Sequence, residues 1–292
     1  MRAELKELWR YRELLWTFVI RELRIRYKNS ILGFFWSILN PLAIVLVMTV
    51  VFKFVMNQDI PNYSAYILAA YLPFMFFQLS LMDSSQSVLI QIDLLKKIYF
   101  PREILPIGSV IANFIHFVLA MVIFFVYLLA IWLINPGDPP FRITALYLPF
   151  LMVIQFCLTL GISLYVSALN TFYEDVKYIV NVGLYLLFFL CPVIYFSEQV
   201  LYAEKIPEEM RGTVYTLYHL NPISMLMTAY RKIILDPQPL PALRGPDSDV
   251  TVLPSLPLDL PLLAVAAAVS VASLIFGYWY FNLKKWQFVE RP

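Results

Sequence analysis

Arg24, Arg26 and Lys28 crowd the few residues ahead of an apolar run that begins near Trp36. A guanidinium or ammonium group beside a membrane span attracts anions and binds phosphate through charge-assisted hydrogen bonds. On a helix, Arg24 and Lys28 share a basic face with Arg2, Lys6, Arg10 and Arg21. Arg12 and Arg26 fall on the opposite, apolar side. Two readings of Arg26 follow. Either it snorkels to lipid head groups, or it meets an anionic group of a substrate beside the first span.

Two further faces have a pattern. Tyr178, Tyr185, Phe189 and Phe196 are spaced 7, 4 and 7, which returns to nearly one angle on a helix. Such a stripe either packs against helices and lipid or stacks on sugar rings. Ser30, Gly33, Ser37, Asn40, Ile44 and Met48 share a face that starts small and polar. Small residues let helices approach closely, so this face is a helix contact or part of a path.

Catalytic groups are scarce. The chain has no Gly-rich phosphate loop of the G-x-x-x-x-G-K-S/T form, which excludes ATP hydrolysis by that route. No Cys or His pair has metal-ligand spacing, and Cys157 and Cys191 both lie in apolar runs. His116 follows Asn113 by three residues, as a buried polar pair between helices or a proton relay would. Asp83 and Glu103 stand at span ends, so the spans lack the midplane carboxylates of ion-coupled carriers. An energy source outside the chain is expected. Glu198, Glu204, Glu208 and Glu209 are the candidates for an enzyme reading, with a solvated helix face as the simpler one.

The elements that must position these residues are membrane helices. Hydrophobic residues make up 61% of the 292 and charged residues 14%, against about 25% charged in a soluble domain. Six runs approach or exceed the roughly 20 residues of a helical crossing, at about 36–56, 63–83, 104–134, 144–169, 178–197 and 260–282. Basic residues cluster at the N-terminus, after the second run and in the C-terminal tail, which puts both termini in the cytoplasm. The charged opening residues lack the apolar core of a cleavable signal peptide.

Residues 1–30 suit an interfacial helix, with Leu5, Leu8, Trp9, Leu15, Trp16, Val19, Leu23 and Tyr27 on one broad face. In the next cytoplasmic loop, Ser84-Ser85-Gln86-Ser87 can cap a short amphipathic helix bearing Val88, Ile92 and Leu95, which Lys96-Lys97 end before Pro101. That helix is interfacial or docks a cytoplasmic partner. Residues 198–259 are read as external. Asn221-Pro222 starts a helix too short to span, hence re-entrant or interfacial, and seven prolines after it enforce extended chain. The fold class is thus an all-α membrane protein with six transmembrane helices, an N-terminal interfacial helix and short external re-entrant helices.

The run Arg21-Glu22-Leu23-Arg24-Ile25-Arg26-Tyr27-Lys28-Asn29-Ser30-Ile31-Leu32-Gly33-Phe34-Phe35-Trp36, continuing to Asn40-Pro41-Leu42, resembles a known signature. It is that of the membrane subunits of type-2 ABC exporters of polysaccharides, the permeases for O-antigen, capsule and teichoic acid. Phe100-Pro101-Arg102-Glu103, the 170–175 loop, Leu220-Asn221-Pro222 and Tyr230-Arg231 are similar too, while the Pro-rich segment 236–259 is longer than the usual pattern.

The resemblance implies a homodimeric pore in the bacterial inner membrane, with residues 31–292 as the six-span domain. Two separate ATPase subunits would carry ATP and Mg, so this chain is not itself an enzyme and holds no cofactor. It implies a lipid-linked polysaccharide substrate and lipid contact, with no nucleic-acid partner. Residues 87–99 would be the coupling helix, with Val88, Ile92, Leu95, Lys96, Lys97 and Tyr99 at the ATPase. Spans one and five would line the polymer path through Ser37, Asn40, Ile44, Met48, Tyr178, Tyr185, Phe189 and Phe196. The diphosphate of the lipid linker would enter near Arg24, Arg26, Tyr27 and Lys28, with Arg26 as its principal contact. The competing readings are an exporter of a small drug or lipid on the same fold, a glycan-processing membrane enzyme, and a stand-alone channel.

Overall fold

The computed structural model describes residues 2–27, 36–51, 62–134, 141–203, 205–236 and 255–289. Among these residues there are helices and turns and no strands. In chain order they are α1 (Arg2–Arg10), α2 (Arg12–Tyr27), α3 (Trp36–Val50), α4 (Tyr63–Ile90), α5 (Ile92–Lys97), α6 (Ile104–Ile134), α7 (Leu148–Phe172), α8 (Val176–Leu190), α9 (Glu198–Leu201), α10 (Glu208–Leu220), α11 (Pro222–Ile234) and α12 (Leu260–Lys284). Single 3-10 turns, Ile143–Tyr147 and Lys285–Val289, precede α7 and follow α12.

Four of these elements are long and apolar enough to cross a membrane: Tyr63–Ile90, Ile104–Ile134, Ile143–Phe172 and Leu260–Phe288. The described part of α3 and the whole of α8 are 15 residues each. That length rises only about 22 Å, short of the ~30 Å hydrocarbon layer. α8 ends before the expected boundary because Pro192 follows it. The residue before a proline is pushed to extended backbone, and Cys191 adopts it (φ −90°, ψ 150°).

α4 is the central helix. Its hydrophobic stretch is mostly buried, whereas those of α6 and α12 are mostly exposed, as lipid-facing helices would be. Gln155 Nε2 of α7 donates to the Pro73 carbonyl of α4 at 2.6 Å, tying the two at mid-length. α7 and α12 pack closest, at two glycines. A Cβ on Gly277 would overlap the carbonyl of Gly161, and one on Gly161 would overlap the backbone of Ser273 and Leu274. Without a hydrophobic drive between helices in lipid, such close backbone approach supplies the dispersion contact that holds them.

Two expectations are corrected here. Ser84, Ser85 and Ser87 do not cap a new helix; they lie inside α4, and their hydroxyls donate to the carbonyls of Leu81, Met82 and Ser84. This back-bonding lets a serine run stay helical while buried. The N-terminal segment is also two helices, broken at Tyr11, not one. Phe18 and Val19 are buried, and Phe18 and Leu15 lie against Gly108 at the start of α6. α2 therefore docks on the bundle, while Trp9 and Trp16 remain exposed.

Candidate functional site

Both chain ends converge on the junction between α5 and α6. From the N-terminal side, Phe18 packs on Phe100 with ring centroids 5.9 Å apart. The Tyr99 hydroxyl donates to Glu7 at 3.2 Å, and Arg21 donates to the Gln91 side chain at 3.3 Å. From the C-terminal side, Lys285 Nζ lies 3.5 Å from Glu103 Oε1, with both side chains buried. The Arg102 guanidinium sits 5.7 Å from the Trp286 ring. Glu103 Oε2 and one amino nitrogen of Arg102 are buried without a hydrogen-bond partner among the described residues.

The six residues expected at the ATPase divide into two sets. Val88 and Leu95 are buried in the core and anchor the segment, and Ile92 is half-buried. Lys96, Lys97 and Tyr99 are exposed, and so are Ile90 and Ile98. The result is an apolar edge flanked by two ammonium groups on a firmly held turn. Just behind it, Asn170 joins α7 to its neighbours: its Nδ2 donates to the Ser85 carbonyl at 2.8 Å, and its Oδ1 accepts from the Lys177 amide at 2.9 Å. Asn113 lies deeper and donates to Asp83 at 2.8 Å, a polar link between α6 and α4.

Of the expected linker-entry residues, Arg24 is exposed on α2. Arg26 and Tyr27 lie in the same helix with side chains outside the described residues, as does all of Lys28. The nearby cleft, about 250 Å³, is lined by Glu22, Asp83, Gln86, Ser87, Gln91 and Ser109 among others. Among its described lining it carries two carboxylates and no cation, with Gln86, Ser87, Gln91 and Ser109 as its neutral donors.

The expected path residues are separated. Tyr178, Tyr185 and Phe189 are exposed along α8. Phe196 is not on that stripe. It lies beyond the helix, is buried, and stacks on Tyr66 at 4.1 Å. Ile179, Val182, Leu186 and Leu190 of α8 are exposed as well, so the outer side of this helix has no partner among the described residues. Ile44 and Met48 of α3 pack partly against the core. The side chains of Ser37 and Asn40 lie outside the described residues.

At the opposite end of the bundle is a charged centre that brings together Arg231, from the Tyr230-Arg231 motif, and Glu198, which the sequence names separately. Arg231 is buried, and its guanidinium lies 3.8 Å from the Tyr66 ring. It donates to the Tyr66 carbonyl (3.1 Å), the Tyr66 hydroxyl (2.9 Å), the Tyr195 carbonyl (2.8 Å) and the Val193 carbonyl. Beside it, Lys232 pairs with buried Glu198 at 2.8 Å. Burial pushes the Glu198 carboxyl up, but the Lys232 ammonium and the Ser197 hydroxyl outweigh it and hold the group below the ordinary carboxylate value. Glu198 is thus structural, Glu208 and Glu209 are exposed elsewhere on α10, and Glu204 lies outside the described residues. α11 itself starts as expected: Asn221 Oδ1 caps it by accepting from Ile223 N at 3.1 Å, with Pro222 at the first position.

Among the described residues no group of three or more His, Cys, Asp or Glu could hold a metal ion. The arrangement has an exposed apolar edge, ties from it to the first and last helices, and a densely hydrogen-bonded far end.

The pattern of the ABC-2 type transporter family matches residues 13–235. The chain is 33% identical over 285 residues to the O-antigen export system permease protein RfbA of Myxococcus xanthus, covering 98% of this chain and 97% of that one. It is 28% identical over 224 residues to the protein of the same name from Klebsiella pneumoniae, covering 77% and 81%. The polysialic acid transport protein KpsM of Escherichia coli is 22% identical over 179 residues, 60% of this chain and 67% of that one. The chain belongs to the ABC-2 type transporter family, as a multi-pass membrane subunit.

Proposed function

We propose that this chain is the channel-forming subunit of an ATP-driven exporter that moves a lipid-linked polysaccharide, most simply an O-antigen, across the bacterial inner membrane. The relatives named for O-antigen export support the cargo. The observation that carries the mechanism is the exposed edge of Ile90, Ile98 and Tyr99 between Lys96 and Lys97, which no described part of the chain covers. An apolar edge with positive flanks, held to both chain ends, suits a surface that receives force from a separate ATPase carrying ATP and Mg.

In this reading residues 1–30 form the interfacial element and 31–292 the six-span domain. The crossings are α3, α4, α6, α7, α8 and α12, with both termini cytoplasmic. α10 and α11 fold back on the external side. Two copies face each other across α3 and α8, which gives the unpartnered side of α8 a use. ATP binding closes the two ATPases, the α5 edge passes the motion to the bundle, and a channel opens at the dimer axis. Tyr178, Tyr185 and Phe189 then offer weak, repeated stacking for a moving glycan, whereas a tight site would stall it. Arg26, with Arg24 and Lys28, receives the linker diphosphate.

The test is export by Arg26→Ala. Loss of export with the ATPase complex intact supports the assignment, and full export contradicts it. Tyr185→Ala with Phe189→Ala separates polymer from small-molecule export, because only a polymer needs stacking along a path.

A further inference from the structure

A cavity of about 690 Å³ opens beside Arg231, at the end of the bundle away from α1 and α2. Its walls come from the N-terminal parts of α4, α7 and α12 and from α11. One side is charged: Arg142, Arg231 and Lys232 face Glu198 and Asp236, so three cations against two carboxylates leave one net positive charge. The other side is apolar and continues onto the lipid-facing surface through Tyr147, Phe150 and Leu260, each about two-thirds exposed. A pocket that is half ionic and half open to the apolar belt matches an amphiphile, and its volume falls in the range of ligand sites.

Among the described residues the charged side has donors to spare. Lys232 gives one to Glu198 at 2.8 Å and one to the Pro257 carbonyl at 3.4 Å, out of three. Arg142 meets Asp236 through Nε at 3.6 Å, and a guanidinium has four further N–H donors. A phosphodiester, with one negative charge, balances the net charge of the walls. Half-exposed Asp236 can accept from a donor on the rest of the head group. We propose that this cavity is a phospholipid site: Lys232 and Arg142 hold the phosphodiester, Asp236 takes a head-group N–H or O–H, and Phe150, Leu260 and Leu263 hold an acyl chain. Ethanolamine and glycerol head groups supply that donor, and choline does not. The site is separate from the exposed face of α8 and independent of the direction or cargo of transport.

The experiment uses the full-length protein in nanodiscs containing phospholipids with a photoreactive acyl chain, and maps labelled peptides. The probes are phosphatidylethanolamine, phosphatidylglycerol and phosphatidylcholine analogues. Arg142→Gln removes one phosphate partner at a partly exposed position. Ser255→Trp fills the cavity without removing any hydrogen bond described above. Size-exclusion profiles confirm that both variants fold. The ethanolamine and glycerol probes should label residues 147–151 and 260–263 above the lipid-facing Val122 and Val126 of α6. Both variants should reduce that excess about fivefold or more, the effect of losing roughly 1 kcal/mol of affinity. Labelling no greater than on α6, equal labelling by the choline probe, or labelling unmoved by both variants would each overturn the proposal. So would a cavity closed to every probe.

Discussion

The two ends of this bundle handle buried charge in opposite ways. At one end Arg231 has the Tyr66 ring on its face and donors placed on three carbonyls and a hydroxyl. At the other, Glu103 and Lys285 meet at 3.5 Å, and one Glu103 oxygen and one Arg102 nitrogen have no partner among the described residues. A well-satisfied polar network rigidifies one arrangement, whereas a buried polar atom left without a partner carries a desolvation cost. The Arg231 end is therefore built to stay put. In the proposed mechanism the Glu103 end, directly behind the exposed α5 edge, receives the motion of the partner, and the Arg231 end is the frame it works against.

Breaking the rigid end should have the largest effect. Arg231→Ala strands carbonyls of Tyr66, Val193 and Tyr195 in the core and should cost about 3–5 kcal/mol, seen as loss of monodisperse protein on extraction. Arg231→Lys should recover it only in part, because one ammonium cannot reproduce the planar fork. Next comes Asn170→Ala, which releases the Ser85 carbonyl and the Lys177 amide together and should cost about 1–3 kcal/mol in thermal stability.

Glu103→Gln separates the ends by kind of effect. It keeps an acceptor for Lys285 while removing the charge. It also leaves the buried Lys285 ammonium without its counter-charge, so stability should fall by about 3–5 kcal/mol. In the protein that still folds, export per ATP hydrolysed should fall roughly tenfold, about 1.4 kcal/mol of coupling. A loss of folding with coupling unchanged in the surviving protein would erase the contrast.

The smallest effect concerns His219, buried against Tyr215 and Thr228. Burial lowers its folded pKa below the ordinary 6.5. The unfolded chain then takes up the proton first, so stability is full above that value and declines as pH falls through the lowered folded value. His219→Gln should flatten the decline in melting temperature between about pH 7 and pH 5, a change worth under ~1 kcal/mol.

What the sequence disclosed was local. Apolar runs mark the long helices because crossing length is a count of consecutive residues. The Asn221-Pro222 start of α11 is legible because cap and helix are adjacent in the chain. The Ser84–Ser87 run misleads because serine suits both a cap and a back-bonded helix interior, and only packing decides. Phe196 was placed on the α8 stripe because periodicity does not see Pro192 ending the helix. The Arg231 centre left no periodic signal: it joins residue 231 to residue 66, 165 positions away. The Glu103–Lys285 pair spans 182. At α10 the glutamates suggest a solvated helix face, and Glu208 and Glu209 lie on one, but its extent is not legible because its apolar residues are mixed with Glu208, Glu209 and Arg211.

The most direct test of the central claim is purification of this chain from its native membranes in mild detergent, with the copurifying proteins counted and ATP hydrolysis assayed. The account predicts an equimolar ATPase that is lost when Ile98 and Tyr99 are both changed to Asp. A homomer without ATPase activity in several detergents, or an ATPase that binds the double variant undiminished, would contradict it.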